Sequence, residues 1–531
     1  MDYIGIISFF GFTLLVGIIA YLSTSKTDET SSDGYFLGGR SLTAGVIAGS
    51  LLLTNLSTEQ IVGLNGAAFK EGILVMAWET LAAIAMVITA IFLLPRYLKG
   101  GITTVPQFLQ RRYDTTTKAI TSGLFLTGYA IILLPTVLYS GALAINTMFN
   151  IPELLGVSES IALWITVWGI GSIGSIYAIF GGLKAVAVSD TINAIGLLIG
   201  GVMIPLFGLW DIGSGNILEG INVLLDLYPD KFNAIGDKKA SVPFTTIFTG
   251  MMLVQLFYWG TNQAIIQRAL GAKNLKEGQK GLLLGSFVKI LGPIIVVLPG
   301  IIAFHMFGDT LKNPDEAYPM LVSKVLPVSL VGFFAAVLFG AILSSFNSAL
   351  NSSVTLFGID IYKEYFNKEA SETTVVKAGK RFGIILAIIS MFVAPLLVYA
   401  SDGLFGYLQE ANGIYSIPIL TIIVVGYLTK YVPAIAAKIG LISGSILYII
   451  SQFILKPYVI GDENYPHFLH VMAVLFILNV IIMLLIGKLY PRKDEYKQKY
   501  TKQVNITPLR YVMPIGVSIC ITVIAIYLYF S

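Results

Sequence analysis

The chain is poor in charge and almost without cysteine. Its single cysteine, Cys520, excludes an internal disulfide and any paired-cysteine metal or redox site. The three histidines, His305, His467 and His470, form no HExxH cluster, so a zinc hydrolase of that kind is excluded. Only 12% of the 531 residues are charged, about half the share usual in soluble proteins. No GxxxxGK[ST] phosphate loop and no TVGYG filter occur, which removes a built-in ATPase and a potassium-channel filter. The longest loops, near 214–243, 306–324 and 488–510, are too short for a separate soluble domain. The first apolar run lacks a basic flank and an A-x-A site, and so reads as an uncleaved helix rather than a signal peptide. The residues point to no covalent chemistry, no enzyme and no cofactor.

What the chain has is apolar length. Hydrophobic residues make up 56% of it, and a helix needs about 20 of them to cross a bilayer. Fourteen runs qualify, near 3–22, 41–65, 72–97, 119–148, 160–182, 187–213, 244–265, 281–305, 325–359, 382–401, 404–428, 433–455, 468–487 and 511–530. This predicts an all-α polytopic membrane protein of about 14 transmembrane helices. The loops alternate in charge: 26 of the 34 Lys and Arg, among them Lys26, Arg96, Arg112 and Arg268, fall on one side and seven on the other. The positive-inside rule then places the N-terminus outside, and the C-terminus with it. Without a nucleotide site or an appended domain, the chain is a secondary transporter, a channel-like pore or, less well supported, a structural or sensory protein.

Polar residues inside spans separate these classes, because they are costly in lipid and usually face a cavity or a partner. The stretch LLLTNLSTEQ, 51–60, interrupts its run with six polar residues. Such residues loosen a helix, and carbonyls freed by a break can bind a cation. The same residues could instead cap a helix end. In GAILSSFNSALNSS, 340–353, Ala341, Ser344 and Ser345 share one helical face. Their hydroxyls suit a hard cation, while small residues also suit tight helix packing. Glu79 and Lys289 are lone charges well inside their spans, so they either pair or meet a polar ligand. The segments QLFYWGTNQAIIQR, 255–268, and FGYLQEANGIY, 405–415, mix amides with aromatic rings. That mixture suits a sugar, with hydroxyls on amides and the ring face on an aromatic. An interfacial aromatic belt would also use Trp259 and Tyr407.

These segments, together with YFLGGRSL, YAIFGGLKAVAVSD, VVLPGIIAF and DIYKEYF, resemble the sodium:solute symporter family, in particular its bacterial sodium/galactose type. The likeness runs from about residue 5 to 430. It implies a leucine-transporter-type inverted-repeat fold. An additional N-terminal helix and cytoplasmic loop would occupy 1–40, and the first five-helix repeat 41–213. An extracellular loop would follow at 214–243, then the second, inverted repeat at 244–428 and three additional helices at 429–531. The resemblance also implies a sodium site made of the carbonyls of Leu53, Leu56 and Ala341 and the hydroxyls of Ser344 and Ser345. It implies a sugar site at Gln60, Glu79, Gln255, Lys289 and Gln409. Gates would stand at Leu64, Trp78 and Phe405 outside and at Tyr258 inside, with Asp190 on the ion's exit route. Two positions depart from the pattern: Gln255 replaces Asn and Ala82 replaces Ser, which leaves the sugar open. The reading is sodium-coupled uptake of a galactose- or glucose-like monosaccharide across a bacterial inner membrane. Its partners are the solute, sodium and lipid, with no nucleic acid and no obligate protein partner. The alternatives are sodium- or proton-coupled uptake of sialic acid, myo-inositol or an organic anion.

Overall fold

The computed structural model of the chain describes residues 3–24, 31–399 and 404–531. These residues are helical almost throughout, and each of the fourteen apolar runs falls on helical chain. Lys26 and positions 400–401, at the end of one run, lie outside the described residues. Ten of the described helices are long and apolar enough to cross a membrane, or eleven if one bent pair counts as a single span. The difference from fourteen has a physical cause, because several runs are broken into shorter helices. The run at 41–65 divides into Ala44–Asn55 and Thr58–Glu71, and the run at 244–265 into Gly250–Gly260 and Gln263–Leu270. Which side the termini face rests on the charge bias alone.

Each break has a local reason. Between Asn55 and Thr58 the backbone leaves the helix at Leu56, with ψ 50°, and Ser57, with ψ 178°. Ser57 occupies the N-cap position of the following helix, but its side chain makes no capping bond. The cap reading and the break reading of this stretch are thus both partly right. In the second broken run, Asn262 caps Gln263–Leu270 by accepting from the Ala264 amide. A third interruption separates Leu275–Ile290 from Gly292–Phe307, which meet at 53°. There Pro293 stands in the first turn of the second helix, where its missing amide costs no intrahelical bond.

The two broken runs are joined below their breaks. The Leu42 amide donates to the Gly271 carbonyl at 3.1 Å, and the Lys273 amide to the Leu42 carbonyl at 3.0 Å. The helix Val328–Thr355 lies along the run Glu159–Ile212, and Ala44–Asn55 packs against the same run. Gly49 permits that approach, since a Cβ there would stand 2.9 Å from the Thr191 Cα. Large apolar side chains of the outer helices, such as Ile477, Leu485, Ile521 and Leu528, are exposed. This suits a lipid-facing surface and would be costly in water.

Candidate functional site

The helix break meets Val328–Thr355 at a polar seam. The Leu56 amide still bonds the Leu52 carbonyl at 2.7 Å, and the next bond in helical register is Ile61 to the Ser57 carbonyl at 2.8 Å. The intervening carbonyls lose their helical partners. One of them, that of Thr54, accepts the Ser345 hydroxyl at 2.8 Å. The Thr54 hydroxyl lies 3.4 Å from that of Ser344 and 3.1 Å from that of Ser348. A hydroxyl that donates to a carbonyl keeps its lone pairs free to face a cation. Leu53, Leu56, Ala341, Ser344 and Ser345 are all buried. Thr54, which joins the two sides of the seam, was not among the residues expected there.

Asp190 stands directly behind the seam. It accepts from the Ser50 hydroxyl at 2.6 Å and lies 3.9 Å from the Arg268 guanidinium. Arg268 donates from Nε to Ser50 at 3.1 Å, and also to the Ser348 hydroxyl and the Ala264 carbonyl. In the sequence Arg268 reads as one more cytoplasmic loop charge. In the fold its side chain is fully buried and ties Asp190 to the seam.

On the other side of the break lies a second cluster. The Gln60 amide donates to Glu79 Oε1 at 2.8 Å, and Lys289 Nζ donates to Glu79 Oε2 at 2.6 Å. Glu79 and Lys289 are 0% and 1% exposed, so of the two alternatives for these lone charges the structure adopts pairing. Gly292 makes room for Glu79, because a Cβ there would press 3.0 Å from the Glu79 Cβ. Gln255 donates to the Trp78 carbonyl at 2.8 Å and accepts from the Trp259 indole at 3.1 Å, and the same indole lies 5.6 Å from the Lys289 ammonium. Gln409 is half-buried on Leu404–Leu428, and no hydrogen bond among the described residues joins it to this cluster. The arrangement is two amide side chains, Gln60 and Gln255, and one neutralised ion pair beside an indole, chemistry that matches hydroxyl-rich ligands.

Trp78 and Phe405 meet edge to face, with ring centroids 5.1 Å apart. Phe405 leans on Gly63, where a Cβ would lie 2.6 Å from its own Cβ, and Leu64 is fully buried beside it. The two rings line a cavity of ≈ 200 Å³, with Lys70, Glu71, Asp315 and His467 among its walls. Burial, with His470 and Lys456 nearby, pushes the His467 imidazole down to about 4, so it is neutral at pH 7. Tyr258 is half-buried beside Trp259, and its hydroxyl approaches Asn55 at the break.

The model of the sodium:solute symporter family matches residues 35–444. The chain is 47% identical over 527 residues to the uncharacterized symporter YidK of Escherichia coli K12, covering 99% of this chain and 91% of that one. It is 32% identical to the sodium/glucose cotransporter of Vibrio parahaemolyticus, covering 81% of each. A solved Na+-coupled sialic acid symporter, in a substrate-bound outward-open state with a novel Na+ site, superposes with a TM-score of 0.78. The superposition covers 94% of this chain and 99% of that one, at 20% identity, and so speaks for the fold alone.

Proposed function

This chain belongs to the sodium:solute symporter family, and we propose that it imports a monosaccharide, galactose- or glucose-like, by sodium-coupled alternating access. It is a multi-pass membrane protein whose relatives are transporters rather than enzymes. The bacterial inner membrane is its proposed location, by likeness to the Escherichia coli relative.

The observation that carries the reading is the position of one helix break between two polar clusters. On one side, the carbonyls of Leu53, Leu56 and Ala341 with Ser344 and Ser345 would hold sodium. On the other, Gln60, Glu79, Lys289, Gln255 and Gln409 would hold the solute. Sodium at the seam favours the arrangement in which Ala44–Asn55 and Val328–Thr355 are docked through Thr54 and Ser345. That docking sets the turn carrying Gln60. Each ligand then stabilises the state the other needs, which is coupling in the thermodynamic sense. A membrane potential of ~100 mV supplies about 2.3 kcal/mol per inward charge. Trp78, Phe405 and Leu64 would gate the outer route and Tyr258 the inner one, with Asp190 on the ion's way out. Two inverted repeats, 41–213 and 244–428, account for the matching breaks near 56 and 261.

The ion pair also bears on the solute. With Lys289 engaged by Glu79, the pocket is neutral overall and suits an uncharged polyol. A carboxylate ligand such as sialic acid would have to draw Lys289 off Glu79. Uptake of labelled galactose and glucose into sodium-gradient proteoliposomes tests the substrate class, with myo-inositol and sialic acid run beside them. Saturable uptake of either hexose supports the reading. Uptake of sialic acid with neither hexose transported overturns it.

A further inference from the structure

Phe468–Leu489 and Val512–Tyr529 are both long and apolar enough to cross a membrane, and they are the least enclosed of the described spans. Residues 490–511 join them without a helix of their own. This segment therefore leaves and re-enters the bilayer on one face, and its ends lie at headgroup level. Tyr490 and Tyr511, 69% and 55% exposed, stand at those ends, where aromatic side chains mark the boundary between membrane and water.

The segment is a strap tied to three other helices. The Arg492 amide donates to the Tyr431 carbonyl at 2.9 Å and the Tyr496 amide to the Lys430 carbonyl at 3.2 Å, just past the span that carries Gln409. The Thr501 amide donates to the Lys99 carbonyl at 3.1 Å, at the end of the span that carries Glu79. The Asn505 carbonyl accepts from the Leu275 amide at 2.9 Å, and the Leu509 amide donates to Gln279 Oε1 at 2.7 Å, both on the helix that carries Lys289. The strap's charge takes little part in these ties. From Lys488 to Arg510 there are seven Lys and Arg against two acids. One of the acids, Glu495, is already engaged by Lys430 at 2.5 Å and Lys497 at 3.7 Å. Lys493, Lys499, Lys502 and Arg510 are exposed, and among the described residues no carboxylate lies within 4 Å of them. Four cations without a counter-charge on a fixed backbone favour an anion beside them. At that depth of a bilayer the abundant anions are lipid phosphates.

We propose that the strap 490–511 is a binding surface for the headgroups of anionic membrane phospholipids, with Lys493, Lys499, Lys502 and Arg510 as its contacts. A bound headgroup neutralises these cations and holds the strap across the ends of the three helices it joins. The surface does not depend on which solute or ion the chain carries.

The test is lipid binding to the purified full-length protein in detergent, offered phosphatidylglycerol and phosphatidylcholine of the same acyl chains in equal amounts and read by native mass spectrometry. The wild type is expected to retain phosphatidylglycerol in preference. Each cation near an anionic surface contributes about fivefold in affinity. Lys499→Gln, Lys502→Gln and Arg510→Gln together should therefore weaken phosphatidylglycerol binding by on the order of a hundredfold. Lys238→Gln, Lys239→Gln and Lys312→Gln together remove the same charge from exposed positions in other loops and should change it little. On the wild type itself, salt at about 1 M should abolish the preference, because exposed charges are then screened within about 3 Å. This arm needs no variant to fold. A wild type that holds both lipids alike overturns the proposal, as does a preference that survives the salt. Equal losses in the two triple variants would make net charge the cause and overturn it too. Inorganic phosphate that displaces the lipid at equal concentration would mark a site for free phosphate, and the lipid assignment falls.

Discussion

Lys289 Nζ and Glu79 Oε2 stand 2.6 Å apart, joining two helices across a site where both side chains are buried. Leaving one charge of such a pair alone costs ~3–5 kcal/mol. Lys289→Ala should therefore lower the melting temperature of the purified protein sharply and weaken solute binding. Glu79→Gln combined with Lys289→Met leaves no charge unpaired and should regain most of the stability while solute binding stays lost. Solute binding that survives in the double variant would remove this pair from the site.

The seam gives a second test. The Ser345 hydroxyl donates to the Thr54 carbonyl at 2.8 Å where the two helices meet. A hydrogen-bonding group facing a charge contributes ~1.5–3 kcal/mol, or about ten- to a hundredfold in affinity. Ser345→Ala should raise the sodium concentration for half-maximal uptake by that factor while the protein remains folded. An unchanged sodium dependence would contradict the assignment.

The outer ring pair makes a kinetic prediction. Trp78 and Phe405 meet edge to face on the wall of the cavity, and in the proposed gating they would close it off from the Glu79 cluster. Such a pair is worth ~0.5–1.5 kcal/mol beyond simple burial, up to about tenfold in an opening equilibrium. In a Cys520→Ser background, a cysteine replacing Gln60 should react with an external charged thiol reagent up to about tenfold faster when Phe405 becomes Ala. Equal rates would place the barrier elsewhere.

A pH effect follows from the N-cap of the helix Thr115–Gly128. Partial burial pushes the Asp114 carboxyl up, but Lys438 at 2.8 Å and the Thr117 amide and hydroxyl outweigh it and hold it below the usual carboxylate range. Its contribution to stability is therefore complete above the ordinary carboxylate pKa and fades as pH falls through the lowered one. Asp114→Asn keeps a helix-capping side chain and loses the charge pair. It should show a flatter fall in melting temperature between neutral and acid pH, by a modest margin because the pair is partly exposed. Identical slopes would assign no role to the pair.

Much of this arrangement is legible in the chain itself. Polar residues packed into 54–60 announce either a break or a helix cap, and the structure holds both, with Ser57 at the N-cap position of the helix that follows the break. Glu79 and Lys289 announce a pairing or a ligand by being alone. Thr54 and Arg268 were hidden for opposite reasons. Thr54 looks like one polar residue among six, and only the long-range docking of Val328–Thr355 singles it out. Arg268 follows a predicted span and so counts as a loop charge, yet the second break carries it inside to Asp190. The number of crossings was blurred by the same breaks, since hydropathy registers apolar length and not whether one helix or two half-helices supply it.

The claim that joins these observations is that sodium and solute share one state of the broken helix. The direct measurement is solute uptake into proteoliposomes with an inward sodium gradient, compared with equal sodium on both sides. The account predicts transient accumulation above the external concentration in the first case, mere equilibration in the second, and loss of accumulation in Ser345→Ala. Equilibration at the same rate with and without sodium would mark an uncoupled pore and contradict it.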